Sequence, residues 1–188
     1  MIVTSQQLLT VLALTLSVQF QFPADFVRAA EKIRRLPPSQ IAGMPMSVRT
    51  ALAQHGCTIP QVYSTPTPHN AVRGSFTRRG GLEWAVLCSH NGTSSIVVLS
   101  EGSGALLAQF APRRDVGSIA SGKDGPIGYA RSIGVASQQM MRIVRGRQAR
   151  RSLPPITHEG ICDGLVDQDG YFWYWTGRDW KTIAGDDQ

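Results

Sequence analysis

The pair Asn91-Gly92, set between the runs Glu83 to Cys88 (EWAVLC) and Ser95 to Leu99 (SIVVL), constrains this chain more than any other feature. Both residues accept the positive φ of a type I′ turn, so the pair predicts a β-hairpin. Trp84, Val86 and Cys88 fall on one parity and Ala85 and Leu87 on the other. Both faces of the first strand are therefore apolar, the pattern of a strand covered on both sides. Upstream, Val72 to Thr77 supplies a third strand through Arg78, Arg79, Gly80 and Gly81, whose glycines permit a tight reversal. The expectation is a three-stranded antiparallel meander over Val72 to Ser100. A buried helix from Leu82 to Leu87 is disfavoured by the β-branched residues and by glycine at both ends.

The remaining elements follow from periodicity and punctuation. Asp25 is placed to cap a helix reaching Leu36, with Phe26, Ala29, Ala30, Ile33 and Leu36 on one side, stopped by Pro37 and Pro38. Ser47 is placed to cap a second helix that ends with Gly56 as its C′ residue. A connector rich in Pro and Thr then reads as an extended surface loop up to Asn70. Beyond the meander, Ala105 to Phe110 adds a fourth strand, Pro112 to Gly128 reads as loop, and Ile133 to Ala136 as a short strand. Ser137 then caps a helical turn or two containing Met140, Met141, Ile143 and Val144. The acidic stretch His158 to Gly170 precedes a second hairpin, Tyr171 to Trp175 with Trp180 to Ile183. Aromatics on both of its faces predict a covered hairpin that joins the meander's sheet. The expected class is α+β: an antiparallel sheet built from the meander and the C-terminal hairpin, with short helices from the N-terminal part.

With 188 residues, 42% of them hydrophobic, the chain can build one domain with a sizeable core, assigned to residues 25–188. Residues 1–24 carry no charge, and Leu8 to Val18 is an apolar run of signal-peptide length. A signal peptide is expected, and with it export to the periplasm or the exterior. An uncleaved membrane anchor and a core helix are the alternatives, because the start lacks Lys and Arg and no clean small-residue cleavage site precedes Asp25. Three cysteines allow at most one internal disulfide, and Cys57 with Cys88 is the preferred pair. Closing that loop stabilises the fold by about 3 kcal/mol in the chain-entropy model. Cys162 is left free; the alternative is three buried thiols. No C-x-x-C occurs, so neither a redox motif nor a zinc ribbon is indicated.

Candidate chemistry is sparse. His158, Glu159, Cys162 and Asp163 form the one cluster mixing an imidazole, a thiol and carboxylates. It could serve a hydrolase in which His158 acts with Asp163 or Cys162, although neighbours this close in sequence rarely give triad geometry. HEG lacks the second histidine of a zincin, and no metal ligand set or cofactor motif is visible. Asp167, Asp169 and Gly170 resemble part of an EF-hand loop, but Leu165 and Thr176 stand where ligands are needed, so a turn is expected. Asn91-Gly92-Thr93 matches a glycosylation sequon, which the hairpin reading absorbs. The net charge of +6 and pI near 9.7 direct attention to Arg142, Arg145, Arg147, Arg150 and Arg151 as polyanion-binding candidates. That run has no aromatic for base stacking and no nucleic-acid-binding motif. A solvated basic face is the simple reading; an anionic envelope polymer or another envelope protein fits as a partner better than nucleic acid.

Three stretches carry a resemblance: Gly56 to Gln61 (GCTIPQ), Val72 to Ser89 (VRGSFT with WAVLCS), and His158 to Trp180 (HEGI with YWTGRDW). Together they resemble a family of exported bacterial proteins of uncharacterised function, over roughly half of the chain. The resemblance implies export and a single compact domain, and carries over no activity. Residues 72–100 are also similar to one unit of FG-GAP-type β-propellers. Arg78 and Arg79 stand where such units carry calcium-binding aspartates, and no second copy is visible. The function these readings favour is an exported, non-catalytic binding or structural protein of the bacterial envelope; the alternative is an extracytoplasmic hydrolase using His158 with Asp163 or Cys162. Membrane contact is expected only through residues 1–24, if they are retained.

Overall fold

A computed structural model describes residues 21–121, 126–147, 155–168 and 170–184; most of the leader assigned to residues 1–24 lies outside them. Helix α1 spans Ala24–Glu31, followed by the two-residue strand β1 (Arg35–Leu36) and a 3-10 turn at Pro38–Gln40. Asp25 does not cap α1: Pro23 occupies that position, and the Asp25 carboxylate pairs with Arg28. The helix also stops short of Leu36. Residues before a proline are pushed out of the helical region, and Leu36 becomes extended to pair with Ile59 of β2 (Ile59–Pro60). Both side chains are buried there.

Helix α2 spans Met46–Gln54. Pro45 precedes it, so Ser47 lies inside the helix, where its hydroxyl donates to the Glu101 carbonyl at 2.7 Å. The end follows the sequence reading. Gly56 has φ +62, its N–H donates to the Ala53 carbonyl, and the Cys57 N–H reaches back to Leu52. These two bonds form a Schellman motif, which requires a left-handed residue at C′. The connector that follows is more tied down than its composition suggests. Gln61 exchanges hydrogen bonds with the backbone of His69, and buried Asn70 donates to the carbonyls of Pro60 and Arg131 while accepting from the Ile133 N–H.

The meander is formed by β3 (Ala71–Gly74), β4 (Glu83–His90), β5 (Thr93–Ser100) and β6 (Leu106–Arg114), hydrogen-bonded in that order. Asn91 (φ 49) and Gly92 (φ 73) make the turn between β4 and β5. β3 ends three residues earlier than expected because carboxylates claim the next amides. Glu83, buried in the sheet, accepts from the N–H groups of Phe76 and Thr77, and Glu159 accepts from Ser75. The segment expected as loop from Pro112 is ordered in its described parts. Asp115–Ser118 is a 3-10 turn, and β7 (Ile119–Ser121) pairs with β8 (Ile127–Tyr129). Burial of Asp115, Ile119 and Tyr129 gives that ribbon its anchors.

The C-terminal hairpin does not join the meander. β11 (Gly170–Trp175) and β12 (Trp180–Ala184) belong to a second four-stranded antiparallel sheet with β9 (Arg131–Ala136) and β10 (Gly160–Leu165), in the order β12, β11, β10, β9. β10 occupies the stretch that reads from sequence as acidic and without an element of its own. Its alternation is disguised because Asp163, on the same face as Ile161, is buried rather than solvated. Helix α3 (Gln138–Arg147) connects β9 towards β10.

Side-chain parity then stacks the layers. Ala85, Leu87, Ile96 and Val98 on the meander's inner face cluster with Ile133 and Ile161 of the second sheet. Trp84, Val86, Val97 and Leu99 on its other face pack against Val48 and Leu52 of α2. The outer face of the second sheet places Ala136, Tyr174 and Ile183 against Met141 of α3. The order is thus helix, sheet, sheet, helix, a mixed fold dominated by antiparallel strands. Each large aliphatic side chain fully withdrawn from water contributes about 1.5–3 kcal/mol, so the inner face of the meander decides how the sheets stack.

Candidate functional site

The structure separates two residues of the hydrolase reading, Cys162 and Asp163. Successive side chains on a strand point to opposite faces, so Cys162 lies on the α3 side of β10 and Asp163 on the side of the meander. His158, in the loop before β10, is buried with its ring stacked on Tyr174 at 4.4 Å and 15°. Its Nδ1 lies 2.9 Å from the Glu159 carbonyl. Burial, and after it the neighbouring Asp163 charge, push the Cys162 thiol up, away from the thiolate that nucleophilic chemistry needs.

Both carboxylate oxygens of Asp163 are engaged. Asp163 accepts from Arg131 Nε at 2.8 Å and Nη2 at 2.9 Å, and from Trp173 Nε1 at 3.2 Å. Arg131 is 1% exposed and spends its remaining donors on the other sheet, with Nη1 to the Ser94 carbonyl at 3.1 Å and Nη2 to the Ala111 carbonyl at 2.9 Å. Ala111 adopts φ 53 at that point in β6. A bidentate guanidinium–carboxylate pair with every oxygen satisfied is the arrangement that offsets the desolvation of two buried charges. This is an inter-sheet clamp, and it employs Asp163 as the buried counter-ion of Arg131. A parallel cluster sits nearby, where Asp115 accepts from Arg35 at 2.7 Å and from the Ser89 hydroxyl at 2.6 Å.

Cys57 and Cys88 stand at disulfide-bonding distance, with Cα atoms 5.2 Å apart, at the junction of α2 and β4. Cys162 is unpaired. In the basic run, Arg142 donates to the Ile156 carbonyl at 2.8 Å and to Gln138, Arg145 is half-buried, and Arg147 closes α3. Arg150 and Arg151 lie outside the described residues. Asp163 serves Arg131, and Asp179 pairs with Lys181 at 2.8 Å. Asp167, at φ 60, forms the turn between β10 and β11. Among the described residues, no three His, Cys, Asp or Glu side chains gather as metal ligands, and no helix is long and apolar enough to cross a membrane.

A cavity of about 230 Å³ opens where the end of α2 meets the outer face of β4, β5 and β6. Leu52, Val97 and Leu106 supply its apolar surface, and His55, His90 and Gln109 supply polar groups. His90 Nδ1 lies 3.3 Å from the Gly56 carbonyl, and the absence of a Cβ at Gly56 admits the ring. Cys88 also lines this cavity, whereas His158, Cys162 and Asp163 do not. Concave, part-apolar walls with a few polar groups suit non-covalent binding. No spacing links His55 to His90, so this site is not legible as a motif. Compared with known proteins, the chain matches no family model, no curated protein and no solved structure.

Proposed function

We propose that the chain is an exported, non-catalytic binding or structural protein of the bacterial envelope, with a leader in residues 1–24 and one domain in residues 25–188. One observation carries this reading: Cys162 and Asp163 lie on opposite faces of β10, and Asp163 is bound to Arg131. Catalysis needs groups that converge on one reacting atom. The uncharged apolar start supports export, and the Cys57 and Cys88 pair suits an oxidising compartment. The cavity bounded by His55, His90 and Gln109 is the proposed seat for a small ligand with an apolar body.

Mass spectrometry of the protein from its native host, under non-reducing conditions, tests both halves of this reading. The expected result is an N-terminus near residue 25, a Cys57–Cys88 peptide, and alkylation confined to Cys162. A cytosolic full-length chain with three free thiols overturns export. Turnover of a model ester, amide or glycoside that is lost in His158→Ala or Cys162→Ala overturns the non-catalytic assignment.

A further inference from the structure

The cavity at the end of α2 exists because the helix layer stops before the sheet does. Val48 and Leu52 pack against Val86, Val97 and Leu99, and the turn at Gly56 then ends the helix. Side chains two apart on a strand share a face, and beyond Val97 that face of β5 turns polar at Ser95 and Thr93. Ser95 is 6% exposed, and its hydroxyl has no hydrogen-bond partner among the described residues. The side chains of Thr93, of exposed Gln109 on β6 and of exposed His55 have none either. Four polar groups with unspent donors therefore line one cavity with Leu52, Val97 and Leu106. His90 is different, because its Nδ1 already lies beside the Gly56 carbonyl. No Asp, Glu, Lys or Arg lines this cavity. Asp115, at the same end of the hairpin, is held by Arg35 and Ser89 on the other face of the sheet.

Resting on the reading of this cavity as a ligand seat, we propose that it takes a small monocarboxylate. The apolar body lies on Leu52, Val97 and Leu106, and the carboxylate faces Ser95, Thr93, Gln109 and His55. A hydroxyl, a primary amide and an imidazole can each donate a hydrogen bond, whereas an ionised carboxylate only accepts. Such a head suits all four side chains, and each bond to it is charge-assisted, about twice as strong as a neutral one. An ammonium head is disfavoured: no carboxylate waits for it, and the net charge of +6 repels it. A phosphate dianion would lack the Arg or Lys needed to offset its desolvation. The volume of about 230 Å³ falls below the range of drug-sized sites, which begins at about 300 Å³. That limits the body to one ring or a short chain.

NMR titration of the full chain tests the proposal, with three head groups on each of two bodies: phenylacetate, phenylacetamide and phenethylamine, then hexanoate, hexanamide and hexylamine. At least one of the two carboxylates should shift the methyl resonances of Leu52, Val97 and Leu106. It should bind about tenfold more tightly than its own amide, with the amine weaker still. Ser95→Ala should lower carboxylate affinity about tenfold and amide affinity less. Gln109→Leu, at an exposed position, repeats that measurement without touching a buried side chain, which keeps the test valid if the Ser95 variant folds poorly. An amide or amine that binds as tightly as its carboxylate overturns the head-group assignment and leaves the cavity as a ligand seat. So does carboxylate binding that ignores both Ser95→Ala and Gln109→Leu. Six probes that all leave the three methyl resonances unmoved remove the seat itself, and this proposal with it.

Discussion

Arg131 and Asp163 show how one residue's meaning depends on a partner that sequence spacing does not reveal. Asp163 reads as a candidate acid or base, whereas its carboxylate is locked to a guanidinium 32 residues away that also holds two carbonyls of the opposite sheet. Removing one member of a buried pair strands a charge. Arg131→Met should therefore cost about 3–5 kcal/mol in urea unfolding. Adding Asp163→Leu should recover most of that loss; a double variant as unstable as the single one would contradict the clamp. Cys162 offers a gentler measurement. Its raised thiol pKa predicts alkylation by iodoacetamide at pH 8 that is slower in the native protein than in denaturant. Equal rates would mean the thiol is not sheltered.

Elements with local signals are readable from the sequence. The hairpin at Asn91-Gly92, the helix end at Gly56 and the parity of Trp84 to Cys88 depend on residues within a few positions of one another. The end of helix α1 and strand β10 escape such a reading because distant partners decide them: Leu36 pairs with Ile59, and Asp163 is drawn inward by Arg131. Gly56 joins local conformation to the cavity. Its φ is +62, and a Cβ there would lie 2.9 Å from His90 Nδ1. Gly56→Ala should destabilise the protein by at least about 1 kcal/mol and displace His90, visible as a lower melting temperature and a shifted imidazole NMR resonance. An unchanged resonance would separate His90 from that wall of the cavity.

For the molecule as a whole, the bond between Cys57 and Cys88 would fasten the α2 layer to the meander across 31 positions. Breaking it with Cys57→Ser should cost about 3–4 kcal/mol. Reductant should lower wild-type stability towards that of the variant and leave the variant unmoved; reductant without effect would mean that no such bond forms. Alkaline stability follows from two groups raised above their ordinary values, chiefly by burial: the Cys162 thiol and the Tyr129 phenol. A raised folded-state pKa stabilises the protonated form, so this stability is complete below the unfolded pKa and declines as pH rises above it. Melting temperature should fall above about pH 8.5 as the unfolded thiol ionises, and more steeply above about pH 10 as the unfolded phenol does. Tyr129→Phe should remove the steeper limb; persistence of that limb would assign it elsewhere.

The sequence by itself determined the strands of the meander, the turn between them and the second hairpin, because alternation and turn chemistry act over short distances; it favoured the cysteine pair, which the structure sets at bonding distance. Tertiary structure alone decided that the two hairpins belong to different sheets packed face to face, that an acidic stretch is an interior strand, and that His55 and His90 share a cavity while Cys162 and Asp163 do not share a face. The physical reason is that burial is a collective property: a charged side chain enters the interior once another element brings the counter-charge and the carbonyls that satisfy it.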